Sequence, residues 1–254
     1  MFMLQKMSML ASKRNAVALP IVANAVDFDG TNDYMPRGAG LTGAADSSTG
    51  ILSVWLRFDG SDGIATRLFS SFSGHLVFQK LSTNTFSLNV NNGSASFIFL
   101  STTAYTAGAT WYHFLASWDT NYSAGNKIEH LYVNDAYDLG TVTDSGAAFT
   151  VDYTDTNWHI GATSAGGSKF NGCMAEFYFA PGQYLDFSDS ANRRKFINSL
   201  GKPVDLGSDG STPTGVAPVV YLKNVAASYG TNSGTGGNFT ITGALTTAST
   251  SPSD

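Results

Sequence analysis

A chain of 254 residues, 43% hydrophobic and 13% aromatic, is long enough to bury one large core in a single domain. Its net charge of −5, with no basic run longer than Arg193-Arg194-Lys195, argues against a nucleic-acid partner, and no apolar stretch reaches the length that crosses a membrane. Cys173 stands alone, which excludes an intrachain disulfide, and a charged content of only 13% leaves Ser, Thr, Asn and Gly to cover the surface.

Residues 1–24 read as an N-terminal arm. Gln5 and Lys6 interrupt its apolar run and the basic residues follow that run, so it makes a poor secretory signal. Phe2 belongs to the run, and Met3, Met7 and Leu10 recur at helical spacing, an apolar stripe suited to contact with another subunit. Residues 25–38, AVDFDGTNDYMPRG, crowd Asp27, Asp29, Asn32 and Asp33 around Gly30. These oxygens suit calcium, but the spacing fails the EF-hand pattern: Gly30 comes too early, and Gly38 stands where a glutamate closes that loop. A turn at Asp29-Gly30, with Asn32 or Asp33 bonding nearby N–H groups, fits better, so no cofactor is expected, with calcium as the alternative.

Residues 51–58 alternate Leu52, Val54, Leu56 and Phe58 with Ser53, Trp55 and Arg57, which predicts a half-buried antiparallel strand. Residues 85–91 repeat the pattern with Phe86, Leu88 and Val90 against Ser87, Asn89 and Asn91, and Asn92-Gly93 predicts a turn. Residues 111–118 are apolar on both faces and should be covered on both sides. Further strands are predicted at 67–72, 75–80, 95–101, 127–134, 157–162, 172–180, 218–223 and 237–242, separated by Gly, Asn, Asp and Ser as in a sandwich or barrel. One helix is expected near 188–200: Ser188 or Asp189 caps it, Phe196, Ile197 and Leu200 form its apolar stripe, Gly201 ends it and Pro203 follows. The domain is therefore drawn at 25–200, with 201–254 as a C-terminal extension returning to the sandwich. From Ser228 onward the chain is nearly all Ser, Thr, Gly, Asn and Ala, a composition flexible in isolation. Both ends are accordingly expected to be held by neighbouring subunits.

Several stretches resemble laminin-G-like jelly rolls of the concanavalin A-like superfamily. Val26-Asp-Phe-Asp-Gly-Thr-Asn-Asp-Tyr34 is similar to the family's opening L-D-F-D-G-x-x-D-Y, Leu52-Ser-Val-Trp55 to its second strand and Trp111-Tyr-His-Phe to its W-x-H-V strand. Leu131-Tyr-Val-Asn134 resembles L-Y-V-N-G, and Ile160-Gly-Ala162 with Asn171-Gly172 through Glu176-Phe-Tyr178 resembles I-G … x-G-x-I-D-E-V-x-I-Y, with Ala175 replacing the usual aspartate. The resemblance covers roughly 25–200. It implies an all-β antiparallel sandwich of jelly-roll type with one short C-terminal helix and extended termini. The block from Gly201 to Lys223 and the closing GGNFTITGALTTASTSPSD resemble tails on jelly-roll proteins of tailed bacteriophages. That resemblance implies a virion surface protein, a capsid decoration or tail-associated component assembled in the bacterial cytoplasm. Its partners would be other virion proteins and copies of itself.

Catalysis finds little support in the residues. Glycosidases need two carboxylates facing each other across a sugar. The only glutamates, Glu129 and Glu176, fall in different predicted strands with apolar neighbours, and no E-x-D-x-E exists. His75, His113, His130 and His159 lack metal-site spacing, and Cys173 reads as a small buried hydrophobe. Sugar binding is the alternative function: rings stack on aromatic side chains while amides and charged groups bond hydroxyls. Trp55 and Arg57, opposite the apolar face of their strand, and Asn89 and Asn91, in the same alternation, are the candidate residues for a host glycan. The competing reading places Trp55 under the helix or a terminal arm.

Overall fold

The computed structural model describes residues 21–254, so Phe2, Met3, Met7 and Leu10 lie outside the described residues. The strands in chain order are β1 (Ala25–Asp29), β2 (Met35–Arg37), β3 (Thr49–Phe58), β4 (Thr66–Ser70), β5 (Leu76–Lys80), β6 (Thr85–Asn91), β7 (Ser96–Ala104), β8 (Tyr112–Ser123), β9 (Asn126–Val133), β10 (Ala136–Tyr137), β11 (Leu139–Asp144), β12 (Trp158–Ile160), β13 (Asn171–Pro181), β14 (Val220–Leu222) and β15 (Thr246–Thr247). One antiparallel sheet runs β10-β9-β8-β3-β13-β1-β15, with β14 also on β13 as its eighth strand. The other has seven strands, β11-β7-β6-β5-β4-β12-β2. They close as a sandwich of concanavalin A-like type.

Alternation decides what lies between the layers. Leu52, Val54, Leu56 and Phe58 from β3 meet Phe86, Leu88 and Val90 from β6 in one continuous core. Aromatic rings interlock through it, Phe78 lying 4.3 Å from Phe114 and Phe69 5.0 Å from Trp158, centroid to centroid. Each such fully buried side chain contributes about 1.5–3 kcal/mol.

The outer face of the eight-stranded sheet is not open. Ile51, Leu115, Tyr132 and Tyr178 on that face pack against Phe187, Phe196, Val204, Leu206 and Tyr221 from the chain after β13. β3 is therefore buried on both sides rather than half-buried. β8 is covered on both sides at its apolar residues, as the sequence indicates.

The C-terminal tail corrects a second expectation. Ser228–Asp254 lies against its own chain, although its composition reads as flexible in isolation. β15 pairs with β1, Ser251 Oγ donates to Ala23 O at 2.8 Å, and Ser253 Oγ donates to Ile21 O at 2.7 Å. Its small residues serve close approach: a Cβ at Gly234 would come within 2.5 Å of Pro218 O, and one at Gly236 within 2.6 Å of Val219 O. The strand predicted at 237–242 is replaced by an isolated bridge between Tyr34 and Thr242.

The helix is also shorter than predicted. Asp189 caps it, accepting from Ala191 N at 2.8 Å, but the helix α1 covers only Ser190–Arg193. Phe196 and Ile197 are buried, whereas Leu200 is 75% exposed and belongs to no apolar stripe. Asn198 turns the chain instead, its Oδ1 accepting from Leu200 N and Lys202 N at 2.9 and 3.0 Å.

Candidate functional site

The four residues predicted to bind sugar do not share a surface. Trp55 and Arg57 alternate onto the outer face of β3, Asn89 and Asn91 onto the outer face of β6 in the opposite sheet. Two layers roughly 10 Å apart separate the pairs. Trp55 is 3% exposed, stacked on His113 at 4.6 Å, in a cluster with Ile197 and Ala248. Arg57 holds both Asp59 oxygens at 2.9 and 2.8 Å and donates to Thr250 Oγ1 at 2.6 Å. The expectation that this pair faces solvent is thus corrected, because the C-terminal segment covers the face to which they point. Asn91 spends its amide on the adjacent turn, donating to Gly74 O at 2.7 Å and accepting from Gly93 N at 3.0 Å. Asn89 keeps a free group: its Oδ1 is buried without a hydrogen-bond partner.

Strand register assembles the other outer face around Asn89. One cross-strand row runs His159, Ser70, Val77, Asn89 and Ile98; the next runs Arg67, Gln79, Ser87 and Leu100. Among the described residues no hydrogen bond ties segment 183–254 to β4, β5, β6 or β7. Val77, Ile98 and Leu100 are half-buried aliphatic surfaces between these polar groups.

Arg67 sits where the β4–β5 register slips between Arg67 and Phe69, and its backbone N–H is held by Ser168 O at 2.8 Å. Such bulges re-aim a side chain. Its Nε and Nη1 are buried without partners, and burial alone lowers its pKa, no carboxylate acting on it. Lys80, on the same hairpin, shows the ordinary solution for a buried cation. Its Nζ donates to Ser61 O at 3.0 Å, Asp62 Oδ1 at 3.2 Å and Asn84 Oδ1 at 2.9 Å, over the Phe58 ring. Burial lowers the His159 pKa, which leaves a neutral imidazole on this face. Neither row contains an Asp or Glu. The arrangement offers hydrogen bonds, one cation and apolar contact, which is the chemistry of binding rather than of paired acid–base catalysis.

Other candidate chemistry is sealed or already engaged. Ser53 Oγ lies 2.8 Å from His113 Nε2, but the two residues are 2% and 1% exposed, and burial drives the His113 pKa down to about 3. The nearby Asp135 is held instead by Arg193, at 2.7 Å, and by Arg194. Glu176 accepts from Tyr221 Oη at 2.6 Å beneath the C-terminal segment, while Glu129 lies three strands away on β9. In the aspartate-rich turn Asp29 Oδ1 accepts from the N–H groups of Thr31, Asn32 and Asp33 at 2.7, 2.9 and 3.2 Å. Asp33 accepts from Asp29 N at 3.1 Å and Ala244 N at 2.7 Å. Asp27, Asp59 and Cys173 each bring one ligand atom within 4.8 Å of the others, yet Arg57 already neutralises Asp59, and the Cys173 thiol, its pKa raised by burial, donates to Asp59 Oδ2 at 3.4 Å.

Sequence reasoning missed Arg67 and Gln79 as site residues. Both lie in predicted strands at outward positions, but alternation shows only which way a side chain points, not whether it finds a partner there.

A family model described as the Concanavalin A-like lectin/glucanases superfamily matches residues 29–181. Among solved structures, a Bacteroides ovatus protein with a provisional carbohydrate-binding assignment aligns at TM-score 0.61 and 14% identity. The alignment covers 91% of this chain and 62% of that one, so the chain spans less than two thirds of its length. A heptameric SAP-like pentraxin from Limulus polyphemus aligns at TM-score 0.48 and 14% identity, over 67% of this chain and 81% of that one. The LG1-3 region of the laminin alpha2 chain aligns at 0.45 and 14% identity, over 66% and 33%. None of the curated proteins compared with the chain matches it.

Proposed function

The chain belongs to the Concanavalin A-like lectin/glucanases superfamily, and from that premise we propose that it is a non-enzymatic carbohydrate-binding module whose ligand lies on the open face of the seven-stranded sheet. The contrast between the two outer faces carries this reading. One is roofed by the chain's own C-terminal segment; on the other, half-buried Gln79 and Asn89 lie beside half-buried Val77, Ile98 and Leu100, and among the described residues no hydrogen bond from segment 183–254 reaches that sheet's β4–β7 strands. A sugar ring supplies both complements, C–H faces for Val77, Ile98 and Leu100 and hydroxyls for Gln79 and Asn89. The fold likeness to the Bacteroides ovatus protein, itself assigned to carbohydrate binding, supports the reading.

A glycan array probed with the purified chain tests it. Asn89→Ala and Gln79→Ala should each weaken binding about three- to tenfold, the loss of one net hydrogen bond. An array on which no glycan is bound overturns the reading. We also propose that residues 1–20, through Phe2, Met3, Met7 and Leu10, fasten the module to a larger assembly, as the phage resemblance of the C-terminal block implies. A chain lacking residues 1–20 should then bind glycan but fail to enter particles, and unchanged incorporation contradicts that anchoring.

A further inference from the structure

We propose that Glu176 is a proton-operated latch: when its carboxyl loses its proton, residues 218–236 open from the eight-stranded sheet more often, while the end of the tail stays docked. The inference concerns the roofed side of the molecule and does not rest on the carbohydrate reading above.

Residues 218–236 are bonded to one another as a unit. Ser233 N donates to Tyr221 O at 2.9 Å, Thr235 N to Pro218 O at 3.0 Å and Gly236 N to Val219 O at 2.7 Å. The Asn232 side chain accepts from Tyr221 N at 2.7 Å and donates to Val219 O at 2.8 Å. The unit joins the sheet through β14, which pairs with β13 over three residues: Phe177 with Leu222, Tyr178 with Tyr221 and Phe179 with Val220. A ladder that short suits opening as a local unit rather than only with the whole domain. It begins next to Glu176, where the β13–β3 register shifts between Ala175 and Tyr178. Glu176 Oε2 accepts from Tyr221 Oη at 2.6 Å, a second tie between sheet and unit. Val220, Leu222 and Tyr229 reach the sandwich core and hold the unit closed while that tie is neutral. The end of the tail has separate attachments, β15 to β1 and Ser251 and Ser253 to Ala23 and Ile21.

The groups around Glu176 decide what ionisation does. Tyr221 of β14 donates to it, and Tyr229, after the 3-10 turn at Ala226–Ser228, faces it as a buried neutral phenol. Lys223, just beyond β14, acts on it from a distance, its Nζ donating to Gly207 O at 2.8 Å over the Tyr221 ring. Asp205 adds a like charge. β3 passes the bulge with Ser53, Val54 and Trp55 and β1 meets Ala175 with Ala25, none of them ionisable. Burial outweighs the help from Tyr221 and Lys223, and the carboxyl keeps its proton up to about 7. An opened unit lets water reach the carboxylate and returns it toward its ordinary value of 4.5. Closure is therefore strongest below 4.5 and weakens as pH rises to about 7.

Hydrogen exchange of the full chain, read by mass spectrometry and corrected for the intrinsic rate at each pH, tests this. Protection over 218–230 should lie below that of β6 and fall about tenfold or more between about pH 5 and about pH 8. Its dependence on urea should be shallow, because a local opening exposes little surface. Residues 246–254, whose own opening leaves Glu176 covered, should not follow that fall. Glu176→Gln should make protection over 218–230 independent of pH. Tyr221→Phe, which removes the donor that favours the charged carboxylate, should move the fall to higher pH. Protection over 218–230 equal to that of β6 would show that the unit opens only with the whole fold, and would overturn the inference. So would protection that stays constant with pH, or a fall that survives Glu176→Gln.

Discussion

Glu176 adopts φ 49° at the point where β13 changes partners, from β1 at Ala175 to β14 at Phe177. A non-glycine residue there stores strain of about 1–3 kcal/mol. Its carboxyl is 4% exposed, and burial pushes its pKa from 4.5 up to about 7. The folded protein thus holds this proton more tightly than the unfolded chain does. The stability contributed by the protonated form is complete below 4.5 and is lost as pH rises to about 7. Its upper bound is about 3 kcal/mol, at 1.36 kcal/mol per pKa unit. Glu176→Gln should keep the bond from Tyr221 and remove this loss, so the difference in urea midpoint between variant and wild type should grow between pH 4.5 and 7. A constant difference would contradict the assignment. At Trp55, truncation to Ala should cost about 3–5 kcal/mol by emptying a packed site, measured by denaturant unfolding. Glycan binding by the molecules that remain folded should not change. Trp55 also marks where sequence legibility ends. Alternation placed it outside the sandwich core, but which segment would lie over it depends on residues nearly two hundred positions later, Ala248 among them.

At the scale of elements, the strands with strong alternation, β3 and β6, were legible because one face had to be apolar. β11 was not: Leu-Gly-Thr-Val-Thr-Asp is polar enough to pass for a loop, and it forms a strand as the edge partner of β7. The sequence pattern over-extends the helix because Leu200 completes a plausible stripe, although Asn198 ends the turn with its own side chain. The tail is the larger lesson. A Ser/Thr/Gly composition signals flexibility only when nothing lies within reach; here hydroxyls and bare backbone fit against β1 and residues 21–23. Deleting Ala244–Asp254 removes β15, the Ala244 N–H to Asp33 and the Thr250 hydroxyl shared by Arg57 and Trp111. The truncated chain should melt well below the full one and expose Trp55 to fluorescence quenchers. Unchanged melting and quenching would show that the tail is dispensable to the fold.

Considered whole, the described residues form a sandwich that closes one outer face with its own chain, while none of its C-terminal segment bonds to β4–β7 on the other. The aspartate-rich turn contributes to closing: its oxygens serve N–H groups within the turn and in the tail, and none of these interactions calls for a metal. Adding calcium should therefore leave the melting temperature unchanged, and a rise of several degrees would show that those oxygens have a second use. The open face was only partly legible. Asn89 was singled out by alternation, whereas Arg67 depends on a bulge and on the absence of an acid nearby, neither of which a single strand's pattern records. The most direct test of the account is methyl-resolved NMR during titration with the tightest-binding array glycan. The signals of Val77, Ile98 and Leu100 should shift together, while those of Val204, Leu206 and Val219 stay in place. Shifts confined to the second group, on the roofed side and in the core, would contradict it.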